Sequence, residues 1–166
     1  TVPYFIPVCI YLLMRTNAFN GVAAGAENDV MNNPYLFASL EQQIATQISV
    51  LYEYLKMLAF PNILAADYSY KQIPYTDFSN PQVYLSLAIH TGLLIGMFLL
   101  LRKRHVLGFA VAIYLANLVL ISNLFFNIGA PMGERLIYHS SVGFAMAAGY
   151  LLYKGFGLLN IARISK

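Results

Sequence analysis

The sequence predicts an all-α fold, a polytopic transmembrane helical bundle, and three observations carry that expectation. Of 166 residues, 59% are hydrophobic and only 10% are charged, whereas a soluble domain carries roughly a quarter of its residues as charged side chains. Long stretches hold no formal charge, the clearest being residues 82–101, QVYLSLAIHTGLLIGMFLLL. The basic residues are not spread out, since Arg102, Lys103 and Arg104 form one cluster between two apolar runs.

Each element follows from local patterning. Residues 1–14 are apolar from the start, lack the basic region and small-residue cleavage site of a signal peptide, and read as the truncated end of a transmembrane helix. Residues 15–40 carry turn formers at Asn17, Asn20, Gly21, Gly25 and Asn32-Asn33-Pro34, predicting an outer loop. In residues 41–61, Ile44, Ile48, Leu51, Leu55 and Leu58 recur at steps of four and three, while Gln43, Gln47, Glu53 and Lys56 occupy other faces. That spacing predicts an amphipathic interfacial helix, ended by Pro61. Residues 62–81 are a second outer loop, with Asp67, Ser69, Pro74, Asp77 and Pro81.

The run 82–101 is a transmembrane helix, about 30 Å long at 1.5 Å per residue and so matched to a bilayer core. A basic turn at 102–105 leads to a second span at 106–123. A third outer loop at 124–136 precedes a span at 137–153, rich in the Gly, Ala and Ser that permit close helix approach, and a tail or linker at 154–166 follows. The positive-inside rule puts 102–105 and the tail, with Lys154, Arg163 and Lys166, on the cytoplasmic side. The loops at 62–81 and 124–136 then share the opposite face.

A net charge of +3 and a pI near 9.0 do not make this a nucleic-acid binder, because ten basic residues with three in one turn cannot track a phosphate backbone. The single cysteine, Cys9, excludes an intrachain disulfide and a thiolate metal site. No Gly-rich phosphate loop, HExxH or GxSxG motif is present, and no acidic side chain interrupts the clear spans.

Polar residues that could carry chemistry collect in the two loops that share a face. Arg135 has a planar, permanently charged fork suited to a lipid phosphate or diphosphate, and Glu134 beside it suits a helix N-terminus. The pair reads equally as a helix cap with an interfacial anchor. His139 follows Arg135 by four residues and could share a phosphate with it or hydrogen-bond across a helix interface. In the other loop Asp67, flanked by Tyr68 and Tyr70, could be a hydrogen-bond hub, a metal ligand, a catalytic carboxylate or a loop cap. Lys71 could neutralise a phosphate or face the headgroups. His90 reads as an interhelical donor and His105 as part of the basic turn.

Leu58-Ala59-Phe60-Pro61, followed by Ala65-Ala66-Asp67-Tyr68-Ser69-Tyr70 and Ile73-Pro74, resembles the hallmark region of the membrane-embedded protein O-mannosyltransferases that carry tetratricopeptide repeats. Gly133-Glu134-Arg135-Leu136-Ile137-Tyr138, with Ser141-Val142-Gly143-Phe144, resembles that family's second hallmark. His139-Ser140 stands where many members have Leu-Pro. The resemblance implies a GT-C-type fold and a transferase that passes a mannosyl-type sugar from a polyprenyl-phosphate donor to Ser or Thr of an acceptor protein. It further implies a catalytic acid in an earlier loop outside this chain, Asp67 organising the site and Arg135 at the donor phosphate; on their own chemistry Lys71 and His139 are further candidates for that phosphate, and Tyr68, Tyr70 and Glu134 for organising the site. A divalent metal could assist, although the sequence offers no cage for one. The implied setting is a bacterial inner membrane rather than endoplasmic reticulum, with the active face periplasmic or lumenal. Two other readings stand beside it, a lipid-linked saccharide transporter or flippase and a non-catalytic structural membrane subunit.

Overall fold

The computed structural model describes residues 2–19, 33–62, 64–65, 68, 72–125 and 127–164, with side chains in the first helix described for 6–17 and in the last as far as 157. Among the described residues the chain is all-helical, with no strand: α1 (Val2–Phe19), α2 (Leu40–Ala59), α3 (Pro81–Arg102), α4 (Val106–Ile121) and α5 (Glu134–Ile164).

The boundaries differ from the sequence reading where local chemistry outweighs composition. α1 runs on to Phe19, through residues assigned to a loop, and within it the Thr16 hydroxyl donates to the Leu13 carbonyl at 3.0 Å. α5 begins at Glu134 rather than 137, because the unpaired N–H groups of a first turn favour an acidic side chain there. It also continues past 153 to Ile164, since Gly155 and Gly157 weaken a helix without stopping it. α4 is shorter than expected, ending at Ile121, where Ser122 caps it and Asn123 turns into the left-handed region at φ 58°. α2 starts from a capping box in which Ser39 Oγ accepts from Gln42 N at 3.2 Å and Gln42 Oε1 accepts from Ser39 N at 3.2 Å.

α3, α4 and α5 form the bundle, with α3 and α4 joined by a tight basic turn. Asn80 caps α3 and Pro81 opens it. At its far end Arg104 N and His105 N donate to the Leu101 and Leu100 carbonyls at 2.9 Å each, with Arg104 at φ 50°. His105 then caps α4 by accepting from Leu107 N at 3.2 Å and meets the Tyr150 hydroxyl of α5 at 3.1 Å. α4 and α5 approach closely at Gly143, where a Cβ would lie 2.5 Å from Tyr114 N. Farther along, His90 of α3 contacts the Tyr114 hydroxyl of α4 at 3.2 Å.

α3, with 22 residues, is long and apolar enough to cross a membrane, whereas α4, apolar throughout, has 16. The outward side chains of α3, including Leu85, Leu87, Leu94, Ile95, Phe98 and Leu99, are all exposed.

α2 packs differently from its apolar stripe. Of the predicted stripe only Leu51 is fully buried, while Ile44 is exposed; the buried face is Ala45, Thr46, Gln47, Ser49, Val50, Leu51 and Tyr54. The reason is hydrogen bonding. Gln47 Nε2 donates to the Asn123 carbonyl at 2.8 Å, Thr46 Oγ1 accepts from Thr76 N at 2.9 Å, and the Tyr54 hydroxyl accepts from Gly133 N at 3.0 Å. Ser86 Oγ of α3 adds a bond to the Ile48 carbonyl at 2.5 Å. These partners lie before α3, in its first turns, just after α4 and just before α5, so α2 braces the end of the bundle opposite the basic turn. Val50, Leu51, Tyr54, Tyr114, Leu118, Met132 and Ile137 form the core beneath it.

Candidate functional site

The loops that lead into α3 and α5 meet at the end braced by α2. Glu134, the first residue of α5, accepts through Oε1 from the backbone N–H of Ala65 at 2.6 Å and from the Tyr68 hydroxyl at 3.4 Å. One carboxylate at a helix N-terminus therefore joins two segments 69 residues apart in the chain. The amide bond is short and charge-assisted, while the phenol contact is long and weaker. Burial raises the Tyr68 phenol above its ordinary range, and the Glu134 charge facing it adds to the shift. Burial also pushes the Tyr54 phenol up to about 12.

The second loop takes its shape from Asn123. Its Oδ1 accepts from Ile128 N at 2.9 Å and its Nδ2 donates to the Ala130 carbonyl at 2.8 Å. An asparagine tolerates the left-handed backbone needed there. With Gln47 on its carbonyl and Tyr54 on Gly133 N, this loop delivers Glu134 and Arg135 to a fixed position.

Beside the Glu134 junction lies a cleft of about 600 Å³ between the second half of α2, the described residues Asn62, Tyr68, Gln72, Ile73 and Thr76, and the start of α3. Glu53 lines it. Its Oε1 accepts from Gln82 Nε2 of α3 at 2.7 Å, and its Oε2 lies 3.3 Å from Lys56 Nζ. Phe60, Tyr68, Asn80 and Met132 complete the main walls.

The sequence-derived candidates divide accordingly. Tyr68 and Glu134 are brought together. Arg135 is exposed on the first turn of α5, and its side chain makes no ion pair or hydrogen bond among the described residues. His139 is exposed one turn farther on, edge-on to Tyr138 with ring centroids 5.6 Å apart. Asp67, Tyr70 and Lys71 lie outside the described residues. His90 is held between the Ser86 carbonyl and Tyr114.

Sequence reasoning missed Glu53, Lys56 and Gln82 as wall residues of one cleft, and Thr46, Gln47 and Tyr54 as fasteners. The i,i+3 spacing of Glu53 and Lys56 was a usable signal for the ion pair; nothing local pointed to Gln82, 29 residues away. Among the described residues no group of three or more His, Cys, Asp or Glu side chains converges as a metal cage would require. Comparison with known proteins adds no relative: no family model matches the chain, and no curated protein or solved structure matches it.

Proposed function

We propose that the chain is the later membrane portion of a multipass glycosyltransferase that takes a sugar from a polyprenyl-phosphate donor and passes it to a protein hydroxyl. The observation that carries the reading is the Glu134 bridge to Ala65 and Tyr68, which ties the two hallmark-like segments into one polar face with Arg135 exposed beside it. The exposed apolar side of α3 supports the membrane setting, because such a surface is costly in water and costs nothing among lipid tails.

In this reading each residue has a limited task. Arg135, always charged, holds the donor phosphate and stabilises the negative charge that grows on it as the sugar leaves. His139, on the same face of α5, can add a hydrogen bond to that phosphate. Glu134 does not act on substrate; it fixes the loop that carries Tyr68. The base that takes the acceptor's proton belongs to a segment outside this chain.

The test is Arg135→Ala in the full-length protein reconstituted with a polyprenyl-phosphate sugar. Loss of one charge-assisted contact corresponds to a fall of about 10- to 100-fold in donor affinity and transfer, at unchanged membrane abundance. Parent-like binding and transfer would remove the phosphate role. The multipass arrangement is tested in a Cys9→Ser background with Tyr70→Cys and Lys103→Cys, which an impermeant thiol reagent should label from opposite sides.

A further inference from the structure

We infer that the basic end of the bundle, the turn from α3 to α4 with the neighbouring part of α5, is a binding site for an anionic phospholipid. It lies at the opposite end from Arg135 and rests on the membrane setting proposed above, not on sugar transfer. Arg102, Lys103 and Arg104 are consecutive and exposed, and none makes an ion pair among the described residues. Lys154 joins them from α5. It is exposed one helical turn beyond Tyr150, whose hydroxyl meets His105 Nε2 at 3.1 Å across 45 residues of chain. Orientation in a membrane requires only that cations collect on one side; a lipid site requires that they converge, as these do.

The backbone fixes the display. Arg104 N and His105 N donate to the Leu101 and Leu100 carbonyls, both at 2.9 Å. A Cβ at Gly108 would lie 2.7 Å from Leu101 N, so α3 and α4 close tightly behind the turn. Arg104 itself adopts φ 50°, in the left-handed region where Gly costs least. A long cation thus stands where a glycine would serve the turn better, and such backbone outliers concentrate at functional positions. The first amides of α4 do not hold the anion, since Leu107 N donates to His105 Nδ1 at 3.2 Å and Gly108 N to the His105 carbonyl at 3.0 Å. The side-chain cations carry the attraction.

What adjoins the cations selects a lipid over a soluble polyanion. Phe98 and Leu99 near the end of α3, Val106 and Phe109 at the start of α4, and Leu152 and Tyr153 beside Lys154 are all exposed. A phospholipid sets its phosphate among the guanidinium and ammonium groups and its acyl chains along these apolar side chains. A nucleic acid or an acidic peptide would match the charge and leave the apolar flank uncovered. A zwitterionic headgroup brings its own cation and gains less. Each Lys or Arg near an anionic lipid surface adds about fivefold to the affinity.

The experiment is native mass spectrometry of the full-length protein, titrated with dioleoyl phosphatidylglycerol, dioleoyl phosphatidylcholine and soluble glycerol phosphate. Phosphatidylglycerol should bind at least about fivefold more tightly than phosphatidylcholine, and glycerol phosphate should not displace it. Arg104→Gly relieves the left-handed backbone while removing one charge. It should therefore lower phosphatidylglycerol affinity about fivefold with a thermal midpoint in phosphatidylcholine equal to the parent's or higher. Lys154→Gln, on the other helix, should lower the affinity similarly, whereas Lys56→Gln, a charge removed from α2 at the opposite end, should leave it unchanged. Equal affinity for the two lipids, or parent-like binding in both Arg104→Gly and Lys154→Gln, would overturn the site. So would an equal loss in Lys56→Gln, which would show a response to net charge alone, or displacement by glycerol phosphate, which would show a site for soluble anions. A lower midpoint for Arg104→Gly would assign the arginine to the turn itself and overturn the inference too. Failure here leaves polyprenyl phosphate binding at Arg135 untouched, and parent-like donor binding in Arg135→Ala leaves this site standing.

Discussion

Replacing Glu134 with alanine withdraws the acceptor that holds the Ala65 amide, and the size of the effect follows from the geometry. The amide bond to Oε1 is 2.6 Å, within the charge-assisted class, while the Tyr68 contact at 3.4 Å is long enough to add little. A hydrogen bond to a charged group contributes about 1.5–3 kcal/mol. With a tenfold change for each 1.36 kcal/mol, Glu134→Ala should speed local opening at Ala65 by about 10- to 150-fold. Glu134→Gln keeps a neutral acceptor and should lie between variant and parent. The assay is amide hydrogen exchange on protein labelled with ¹⁵N-alanine, with Ala110 as internal control because it is buried in α4, away from the junction. Unchanged protection of Ala65 in Glu134→Ala would refute the claim that this carboxylate ties the two segments together.

Three further outcomes are expected. Gly143→Ala places a Cβ 2.5 Å from Tyr114 N, a backbone atom that cannot step aside, and should cost about 1–3 kcal/mol as overpacking; Gly149→Ala, with nothing within 4 Å, should be neutral or slightly stabilising, and equal thermal midpoints for the two would contradict the close approach. Tyr54 has its phenol raised from 10.0 to about 12, so the folded form keeps the proton longer than the unfolded one. The associated stability is fully present below pH 10 and fades as pH rises through the folded value, amounting to about 2–3 kcal/mol. Thermal midpoints between pH 9 and 12 should therefore fall more steeply for the parent than for Tyr54→Phe, and parallel curves would count against it. Gln47→Leu removes the donor to the Asn123 carbonyl and should accelerate exchange of the Ile128 amide, which Asn123 Oδ1 holds; no change there would separate α2 from the loop.

The parts of the fold legible in the sequence are those set by local chemistry. α3 announces itself through an uncharged run and a basic turn at its end, while Pro81, read as the end of a loop, opens the helix behind the Asn80 cap. The small residues of the last span find their use at Gly143. α2 shows the limit of periodicity, which reports where apolar residues recur but not what a helix packs against. Here Thr46, Gln47 and Tyr54 are buried because backbone groups 30 to 79 residues away need partners, and that demand leaves no local trace. Glu134 and Tyr68 were recognisable as polar residues in two loops, yet their bond depends on a fold that brings 66 residues of separation to 3.4 Å. The sequence places Glu134 and Arg135 near a helix N-terminus, yet apolar composition alone sets the start of the span at 137, whereas the helix starts at Glu134 itself.

Three fasteners on α2 grip main-chain atoms of their neighbours: the carbonyl at 123 and the amides at 76 and 133. A backbone N–H is the same on every residue but proline, so the joint at 76 is indifferent to the side chain it holds in place as long as that residue keeps its N–H, whereas position 123 needs its asparagine for the loop it shapes. The scaffold and the lettering at 76 are thereby separable: that side chain can be exchanged while the brace continues to set the same spacing.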